Sequence, residues 1–346
     1  MLAAVLHAPR DLRLEHVPTP EPGPGEVVLD IEATTLCGTD LRLISGAKTS
    51  GVRPGVVLGH EIAGRVAALG EGVSGVRVGD QATVSIVVSC HRCHACLNDR
   101  EHLCENLRLI GYGIDGGFAE RMLVPADAVA SGNLVVTPHE IPATTLALAE
   151  PLSCVLNGAR QVRVQPGETV VVLGAGPIGL LHAQLARVAG AGQVIVTNRS
   201  AHRRELALRL GATRALDPAT EDVRAAVVEA TGGRGADVVI VAVGAAELAG
   251  QALALAGIGG RVSYFAGFPK GSTAEVDANL IHYNELIVTG GSNARRADVV
   301  RAVDLLSAGV IDAESLVTNR VPLSRFEEAI ALVSGRTGVK TAVVPG

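Results

Sequence analysis

Aromatic residues are nearly absent from the sequence. The chain has 346 residues but no Trp, three Tyr and four Phe, so Val, Leu, Ala and Ile must build its core. Basic residues form no block, the net charge is −5, and no aromatic residues are interleaved with basic ones, which argues against nucleic acid as a partner. Long apolar runs are also missing, because Gly-Pro, His and Gln interrupt them, so we expect no membrane span.

A secretion signal is the next missing feature. Residues 1–15 lack a basic start followed by a real apolar stretch, so we expect no signal peptide. Six cysteines in a chain without an export signal indicate thiolates in a reducing compartment, and we expect a cytoplasmic protein. Apolar residues make up 48% and charged residues 19%, with no low-complexity tract, which is typical of a globular protein. The length suits two domains.

The stretch Thr169–Ser200 has the order of elements found at dinucleotide-binding sites. An apolar run, Thr169–Leu173, precedes a glycine-rich turn at 174–179, an apolar-periodic segment follows, and a second apolar run covers Gln193–Thr197. This order predicts strand, turn, helix and strand. The amino terminus of the helix would present free N–H groups and a partial positive charge to a phosphate. A plain structural turn is the alternative.

The residues of this turn have distinct expected roles. Gly174 suits a tight turn, Gly176 lets a pyrophosphate approach the backbone, and Gly179 allows close packing of helix on strand. Pro177 stands at the first helical position, where its missing N–H costs nothing. Together with a residue at the end of a later predicted strand, the turn supplies these cofactor-binding candidates: Gly174, Gly176, Pro177, Ile178, Gly179 and Val243.

The end of the second strand decides between NAD and NADP. The acidic residue expected there for the ribose 2′-OH is absent, and Asn198, Arg199 and Ser200 occupy the position. Asn198 can still hydrogen-bond a ribose hydroxyl, whereas Arg199, with Arg203 and Arg204 one turn on, suits a 2′-phosphate. A solvated helix start is the alternative reading of these arginines. NAD and NADP both remain possible, and the arginines favour NADP.

Residues 1–150 carry short extended runs at close spacing, separated by Gly, Pro and Asp. This pattern predicts a small β-rich, barrel-like domain. Its predicted strands are Leu2–His7, Leu12–His16, Glu26–Ala33, Glu61–Leu69, Gln81–Val88 and Phe118–Val124.

From about Pro166 onward, strands alternate with helices, which predicts a doubly wound parallel sheet. The predicted strands are Thr169–Leu173, Gln193–Thr197, Ala215–Leu216, Ala236–Val243, Arg261–Ala266 and Leu286–Thr289, and the helices between them include His202–Leu210, Glu221–Thr231 and Ala246–Ala256. Two helices, Ala297–Ala308 and Leu323–Val333, and an extended run, Thr341–Val344, form a tail too short to be a domain. We expect the tail to complete the first domain, and ligands to bind between the domains at the carboxyl ends of the strands.

Four cysteines lie within fifteen residues in the pattern C-x2-C-x2-C-x7-C: Cys90, Cys93, Cys96 and Cys104. Four thiolates suit tetrahedral Zn²⁺ with every position filled, which is a structural site. An iron–sulfur cluster usually closes with a three-residue gap and a proline, and here Glu105 follows a gap of seven. Disulfides are the remaining alternative. The nearby His91, His94 and His102 are expected to be solvated, because four thiolates already saturate the ion.

Further potential ligands are dispersed. Cys37 stands alone, His60 and Glu61 follow about twenty residues later, and Glu150 lies near the end of the β-rich region. Each is unremarkable by itself, since a lone Cys is usually a buried apolar residue. Spacing alone does not join them.

The sequence resembles the zinc-dependent medium-chain alcohol dehydrogenases along its whole length. The motifs that carry the resemblance are CGTD at 37–40, GHE at 59–61, the four-cysteine segment, EPLSC at 150–154, GAGPIG at 174–179 and the tail from Gly259 onward. EPLSC and the segment at 279–283 are most similar to the polyol branch, which comprises sorbitol, iditol and threonine dehydrogenases. The resemblance implies a GroES-like β-rich catalytic domain over residues 1–154 and 291–346, and a Rossmann α/β domain over 155–290.

By position, the resemblance implies a catalytic zinc held by Cys37 and His60, with Glu61 or Glu150 as the third contact. Each chain would then bind two zinc ions, one catalytic and one structural. A catalytic zinc keeps one position open, where an alcohol oxygen can enter. Thr39 is expected to touch the substrate oxygen.

The proton relay departs from the family pattern. Many relatives pass the proton to a His at the position of Arg42, and arginine cannot act as a base near neutral pH. We therefore expect a different route, through a metal-bound water and Glu150, and Arg42 is expected to contact the cofactor phosphates.

The substrate pocket departs from the sorbitol dehydrogenases as well. Leu43 replaces a tyrosine, and Asn293-Ala294 replaces an Arg-Tyr pair, so the pocket is expected to be less polar, with Phe118 and Leu43 forming an apolar wall. A smaller polyol, a cyclitol or a secondary alcohol is as good a candidate as sorbitol.

The resemblance thus implies a zinc- and NAD(P)-dependent enzyme that reversibly oxidises the secondary alcohol of a polyol-like substrate, or of L-threonine. Relatives are dimers or tetramers, and we expect a homotetramer. One alternative is a catalytically silent, cofactor-binding relative, against which the complete Cys37, His60 and Glu61 set argues. Another is a zinc-free quinone or enone reductase, but those lack the four-cysteine segment.

Overall fold

Strands dominate both ends of the chain and alternate with helices in its middle. The computed structural model describes residues 1–346 and divides into two units. The first consists of Met1–Ser153 with Asn293–Gly346, and the second is Cys154–Ser292. None of the helices has both the length and the apolar character needed to cross a membrane.

Eighteen strands and twelve α-helices make up the chain. The strands are β1 (Leu2–Ala8), β2 (Asp11–His16), β3 (Val27–Leu36), β4 (Val56–Val57), β5 (Glu61–Leu69), β6 (Gln81–Val84), β7 (Val87–Val88), β8 (Arg108–Leu109), β9 (Arg121–Val124), β10 (Leu134–Val136), β11 (Thr169–Leu173), β12 (Gln193–Thr197), β13 (Arg214–Leu216), β14 (Ala236–Val241), β15 (Ala256–Tyr264), β16 (Ile287–Gly290), β17 (Val317–Pro322) and β18 (Lys340–Val344).

The helices are α1 (Gly38–Ser45), α2 (His94–Leu97), α3 (Ala126–Ala130), α4 (Ala143–Leu146), α5 (Ala149–Val162), α6 (Pro177–Val188), α7 (Ala201–Arg209), α8 (Val223–Ala230), α9 (Leu248–Leu255), α10 (Ala278–Tyr283), α11 (Arg296–Ser307) and α12 (Phe326–Ser334). Three short 3-10 helices cover Glu101–Leu103, Glu314–Leu316 and Leu323–Arg325.

The second unit contains a six-stranded sheet in the order β13-β12-β11-β14-β15-β16, with every neighbouring pair parallel. Its central strands β11 and β14 are almost completely buried Val and Ile runs, as expected of a sheet covered by helices on both faces. The strand order reverses between β11 and β14, which is the point where doubly wound sheets bind ligands. The predicted Rossmann fold is therefore confirmed.

Two details of this sheet differ from the sequence prediction. Strand β14 ends at Val241, so Val243 lies beyond the strand rather than at its end. Strand β15 begins at Ala256, directly after α9, whereas the sequence pattern predicts a helix up to Ala256 and a strand from Arg261. The glycines at 257, 259 and 260 hide this part of the strand from an apolar pattern.

The first unit is built on a seven-stranded sheet in the order β10-β6-β5-β3-β18-β17, with β9 also paired to β3. A three-stranded sheet, β2-β1-β4, and the hairpin-like pair β7-β8 accompany it. The predicted GroES-like β-rich fold is confirmed. The single strand predicted over Gln81–Val88 is instead two strands, because the Asn133 side chain donates to the carbonyls of Ser85 and Val87 at the break.

Three neighbouring strands of this sheet bring distant residues together. Strand β3 ends at Leu36 and pairs antiparallel with β5, where Thr35 faces Glu61. On its other side β3 pairs antiparallel with β18, where Leu36 faces Thr341. The chain then turns at Cys37 into α1, so the end of β3 and the starts of α1, β5 and β18 meet in one place.

Candidate active site

Cys37, His60 and Glu61 lie together in the first unit. One ligand atom from each side chain lies within 4.8 Å of the others, with His60 and Glu61 buried and Cys37 half-buried. Cys37 is the residue before α1, and His60 and Glu61 begin β5, so backbone structure fixes all three positions. Thiolate, imidazole and carboxylate are the ligands that zinc takes in proteins, and this donor set fits the ion.

Asp40 holds two members of this set at once. Its carboxylate is completely buried; Oδ2 accepts a 2.8 Å hydrogen bond from the Cys37 backbone N–H at the start of α1. Its other oxygen, Oδ1, lies 3.1 Å from Nδ1 of His60, although the approach is outside hydrogen-bond geometry. Burial lowers the pKa of His60, but the surrounding groups, with Asp40 first and Tyr112 and Cys37 after it, together raise this pKa well above its ordinary value. With Nδ1 turned to Asp40, Nε2 is the ring nitrogen left for a metal ion.

Glu61 is already engaged by two other residues. The Thr35 hydroxyl donates to Oε2, and the Lys340 ammonium lies 2.7 Å from Oε1 and 2.5 Å from Oε2. The side chains of Lys340 and Glu61 are only 4% and 1% exposed. Burial lowers the pKa of Lys340, but the charge of Glu61 raises it above the ordinary value, so the pair is an ion pair. Its ammonium therefore neutralises Glu61 at the edge of the metal set.

Thr39 and Arg42 interact directly in α1. An Nη2 hydrogen of Arg42 is donated to Oγ1 of Thr39 over 3.0 Å. Because the guanidinium occupies a lone pair of the hydroxyl oxygen, the proton of Thr39 must point elsewhere. Thr39 is half-buried and Arg42 is exposed, so both can be reached from solvent.

Glu150 stands in the first turn of α5 and is not a member of the three-residue set. It lies near that set nevertheless. Burial and Arg42 lower the pKa of Lys48, whereas Cys37 and Glu150 oppose that shift. The structure therefore brings together Cys37, His60 and Glu61, with Glu150 close enough to act on the same groups.

Tyr112 and Lys48 lie next to the metal set. The Tyr112 ring centroid is 5.4 Å from that of His60, and the Lys48 ammonium lies 4.7 Å from the Tyr112 centroid. Burial raises the pKa of Tyr112 far above its ordinary value, so the phenol is neutral. Leu43 and Phe118, by contrast, are fully buried in the core of the first unit, where Phe118 packs on Phe326.

The four-cysteine segment forms a second cluster in the first unit. The sulfurs of Cys90, Cys93, Cys96 and Cys104 lie within 4.8 Å of one another, and all four thiols are free. Cys93 Sγ is 3.5 Å from Cys96 Sγ and 3.9 Å from Cys104 Sγ, close to the edge of about 3.8 Å expected for a tetrahedron with Zn–S bonds of about 2.3 Å. The sulfurs thus fit a four-coordinate zinc.

Backbone amides support this cluster. The N–H groups of Cys90 and Asn106 each donate to Cys104 Sγ over 3.3 Å. A hydrogen bond from the Arg92 backbone lowers the pKa of Cys90 to about 6, whereas burial raises the pKa of Cys104 to about 12. A metal ion that displaces the remaining protons would satisfy all four sulfurs.

The histidines near the cluster are not among its ligands. His91 and His94 are exposed, as expected, and His91 contacts the Ser131 hydroxyl at 2.9 Å. His102 is buried rather than solvated, because its 3-10 helix packs against the chain and its carbonyl accepts a bond from the Asn293 side chain. Asn293, aligned with a polar pocket residue of sorbitol dehydrogenases, thus has a structural contact here.

Packing requires a glycine at two of the three positions of the glycine turn in the second unit, and at the third it does not. Gly174 has φ +111°, and a Cβ there would collide with Val243. A Cβ on Gly179 would collide with the carbonyl oxygen of Gly174. A Cβ on Gly176 would meet nothing within 4 Å, so no protein atom requires a glycine at this position. Gly176 stands directly before α6, which starts at Pro177, and its open face is where a phosphate group would lie.

The three arginines that follow β12 have different surroundings. Arg204 donates to the carbonyls of Asn198 and Arg199 and forms a 2.9 Å ion pair with Asp217. Asn198 Oδ1 accepts from the Ser200 N–H at the start of α7. Arg204 is therefore a structural residue. Exposed Arg199, just before α7, and half-buried Arg203, in its first turn, remain the candidates for a 2′-phosphate.

Several residues of the site were not predicted from the sequence. These are Thr35, Asp40, Lys48, Tyr112 and Lys340. Only Asp40 has a local signal, because an acidic residue three positions after Cys37 is the pattern of a helix cap. The others reach the site through strand pairing and loop packing.

Comparisons with known proteins show what the chain as a whole is similar to. The family model of the alcohol dehydrogenase GroES-like domain matches residues 23–133, and that of the zinc-binding dehydrogenases matches residues 177–308. The chain is 36% identical to L-threonine 3-dehydrogenase of Pyrococcus horikoshii over 94% of this chain and 93% of that one. It is 30% identical to sorbitol dehydrogenase of Bacillus subtilis, covering 95% and 92%.

A solved structure is similar over the full length. It is that of a protein from Sinorhizobium meliloti 1021 classed as a zinc-binding dehydrogenase, bound to NADP. It has a TM-score of 0.92 and 36% identity, and the match covers 99% of each chain.

Proposed function

Because the chain belongs to the zinc-dependent medium-chain alcohol dehydrogenase family, we propose that it reversibly oxidises the secondary alcohol of a polyol-like substrate to a ketone and transfers the hydride to a nicotinamide cofactor. As a member of that family it is an oxidoreductase acting on CH–OH donors. The observation that carries the proposal is the convergence of Cys37, His60 and Glu61, backed by Asp40.

The catalytic zinc would be held by Cys37 and His60, with Glu150 as the third protein contact at rest. Glu150 is preferred over Glu61 because Lys340 and Thr35 already engage both oxygens of Glu61. When bound, the zinc ion supplies Lewis-acid stabilisation of the negative charge that develops on the alcohol oxygen. The second ion would be structural, held by the four-cysteine cluster, for a total of two per chain.

Asp40 positions both firm ligands. It fixes the Cys37 backbone through the start of α1 and lies at the Nδ1 edge of His60. A carboxylate behind a ligating imidazole orients the ring and raises its basicity. The ligand geometry is therefore set by the fold before the ion binds.

Thr39 is the group proposed to contact the substrate hydroxyl. Arg42 donates to the Thr39 oxygen, which leaves the threonine proton free to turn toward a substrate oxygen. Arg42 keeps its proton and cannot be the base. The alcohol proton would therefore leave through the Thr39 hydroxyl toward solvent, in place of a histidine relay, with Glu150 as the nearby carboxylate.

The cofactor would bind on the second unit, with its pyrophosphate at Gly176 and the start of α6. The open face of Gly176 supports this, as does its place beside β11, where the strand order reverses. Ile178 and Val243 flank the turn. Asn198, Arg199 and Arg203 would contact the adenosine ribose, and the two arginines favour NADP over NAD.

L-Threonine is the second candidate substrate. It is favoured by the similarity to the Pyrococcus horikoshii enzyme, which extends over nearly the whole chain. Sorbitol is less favoured, since the positions where sorbitol dehydrogenases carry polar pocket residues hold Leu43, buried in the core, and Asn293, bonded to the His102 carbonyl.

We also propose a homotetramer in the cytoplasm. The edge strand β16 and the helix before it expose apolar side chains, among them Tyr283 at 75% and Ile287 at 57% exposure, which a second copy of the chain could cover. Six free cysteines suit a reducing compartment.

The proposal is tested by a screen of zinc-loaded protein against secondary alcohols, polyols and L-threonine, each with NAD and with NADP. We expect reduction of the nicotinamide, followed by its absorbance, with at least one secondary alcohol and a lower KM for NADP. If fully zinc-loaded protein binds the cofactor but reduces it with no alcohol of the panel, the protein is instead a catalytically silent relative.

A further inference from the structure

Lys48 is a cation beside the metal set that lacks a carboxylate partner. Its ammonium lies over the face of the Tyr112 ring, 4.7 Å from the centroid, and Tyr112 in turn packs against His60. The same loop also contains Arg53, which forms a 2.6 Å ion pair with Asp115. The fold thus neutralises one cation of this loop and leaves the other directed at an aromatic ring.

The backbone holds Lys48 in this place. Helix α1 ends at Ser45, its C-cap Gly46 lies in the left-handed region with φ 80°, and the Lys48 N–H then donates to the Arg42 carbonyl over 3.0 Å. The N–H of Arg53 donates to the carbonyl of Tyr112 over 2.9 Å, which ties the loop to the segment carrying the ring. Lys48 is half-buried, so its ammonium is confined rather than free in solvent.

A second cation increases the local positive charge. Burial and the charge of Arg42 lower the pKa of Lys48. The side chain of Arg42 bonds only the neutral Thr39 hydroxyl. Cys37, Glu150 and Asp40 oppose the lowering of this pKa from a distance, but none of them forms an ion pair with Lys48. Cys37 and Glu150 are the proposed ligands of a metal ion that would offset their charge. Two like charges without a carboxylate partner favour an anion, and binding one would relieve their repulsion.

We propose that Lys48 binds a carboxylate of the substrate, so that the preferred substrates are secondary alcohols that carry a carboxylate near the carbinol carbon. This rests on the proposed function and names its substrate class. A cofactor phosphate is the other possible anion. Lys48 lies over Tyr112, which packs against His60, rather than on the exposed face of α1, and this position favours the substrate.

Two substrates of similar size test the proposal: 3-hydroxybutanoate, which carries a carboxylate, and butane-2,3-diol, which does not. In Lys48→Met we expect KM for 3-hydroxybutanoate to rise at least about tenfold, the effect of losing a hydrogen bond to a charged group. KM for the diol and for NAD(P) should stay unchanged. Lys48→Arg should retain most of the affinity.

Lys270→Met is the matched control. Lys48, Lys270 and Lys340 are the only lysines of the chain, and Lys270 lies exposed in a loop of the second unit. Lys270→Met removes the same charge as Lys48→Met, and its KM values for 3-hydroxybutanoate and for butane-2,3-diol should remain those of the wild type. Equal effects of Lys48→Met on both substrates would overturn the proposal. A rise confined to the KM of the cofactor would also overturn it and assign Lys48 to a phosphate.

A binding measurement separates this inference from the proposed function. Butanoate cannot be oxidised as a secondary alcohol, and its dissociation constant can be measured by calorimetry on zinc-loaded protein. We expect Lys48→Met to weaken it at least about tenfold. If the wild type oxidises no alcohol of the full panel, the proposed function fails. The butanoate titration still decides whether Lys48 binds a carboxylate, because equal binding by wild type and variant overturns that inference.

Discussion

The ammonium of Lys340 lies 2.7 Å from one carboxylate oxygen of Glu61 and 2.5 Å from the other, in a pair that is almost completely buried. The two residues are 279 positions apart in the sequence. Strands β5, β3 and β18 lie side by side, so the pair connects the last strand of the chain to the start of β5. The tail therefore contributes a charge to the metal site.

Removing the ammonium leaves a buried carboxylate without its partner. We predict that Lys340→Met lowers the free energy of unfolding by about 3–5 kcal/mol. The double variant Lys340→Met with Glu61→Gln should recover most of this loss, since neither charge then remains. Denaturant unfolding of the wild type, Lys340→Met, Glu61→Gln and the double variant at equal zinc content measures the cycle. If the free energy of unfolding of Lys340→Met lies within about 1 kcal/mol of the wild-type value, the pair is not buried in solution.

Asp40 is predicted to set the affinity of the catalytic ion. Asp40→Asn keeps the shape but removes the negative charge facing His60, so zinc affinity at that site should fall about 10–100-fold, with the four-cysteine site unchanged. Competition with a chelator measures it.

Asp298→Asn is the matched control for Asp40. Like Asp40, Asp298 stands three residues after the residue that precedes its helix, and it accepts a 3.1 Å hydrogen bond from the N–H of that residue, Arg295. Asp298 lies outside both metal clusters. Zinc affinity of this variant should equal that of the wild type. The same loss of zinc in both variants would mean that Asp40 acts only through the helix.

Substitutions at two glycines of the turn should affect different properties, cofactor binding at Gly176 and stability at Gly179. We predict that Gly176→Val leaves the free energy of unfolding unchanged but weakens NAD(P) binding at least about tenfold, because the added side chain occupies the open face. Gly179→Val should destabilise the protein by about 1–3 kcal/mol, since its Cβ collides with a backbone carbonyl. Unfolding curves and cofactor titrations distinguish them. Unchanged cofactor affinity in Gly176→Val would place the pyrophosphate elsewhere.

A buried histidine should make the second unit sensitive to acid. His182 packs edge-on against Phe265, and burial lowers its pKa from 6.5 to about 3. Between these values the unfolded chain binds the proton and the folded chain does not, so the contribution of His182 to stability is full above pH 6.5 and lost as the pH falls. From pH 7 to pH 5 this loss is about 2 kcal/mol.

His182→Leu should therefore lose less stability than the wild type between pH 7 and pH 5, by about 2 kcal/mol in denaturant unfolding. His202→Leu, which removes an exposed histidine of α7, should keep the pH dependence of the wild type. Parallel pH dependence in all three proteins would contradict the burial of His182.

The sequence predicts the Rossmann sheet well because its central strands are local apolar runs. Thr169–Leu173 and Gln193–Thr197 are found with the predicted bounds, since buried parallel strands need no partner pattern to be recognised. Strand β15 is predicted late because three of its first five residues are glycine.

The metal set is predicted only in part, for a physical reason. Family motifs predict Cys37, His60 and Glu61, whereas Lys340 and Thr35 reach Glu61 through strand pairing that leaves no local trace in the sequence. Lys48 is likewise placed by a loop reversal at Gly46. Contacts between residues far apart in sequence follow from the fold and are not encoded in spacing.

The central claim is that Cys37 and His60 hold the ion that activates the alcohol, and one paired measurement tests it. Zinc content and alcohol-dependent reduction of NAD(P) are determined for Cys37→Ala and Cys93→Ala, with cofactor binding as the check on folding. For Cys37→Ala we predict one zinc lost per chain, no detectable turnover and unchanged cofactor affinity. Cys93→Ala should lose the other ion, with a lower free energy of unfolding. Turnover at the wild-type rate in Cys37→Ala, or retention of both ions, would contradict the account.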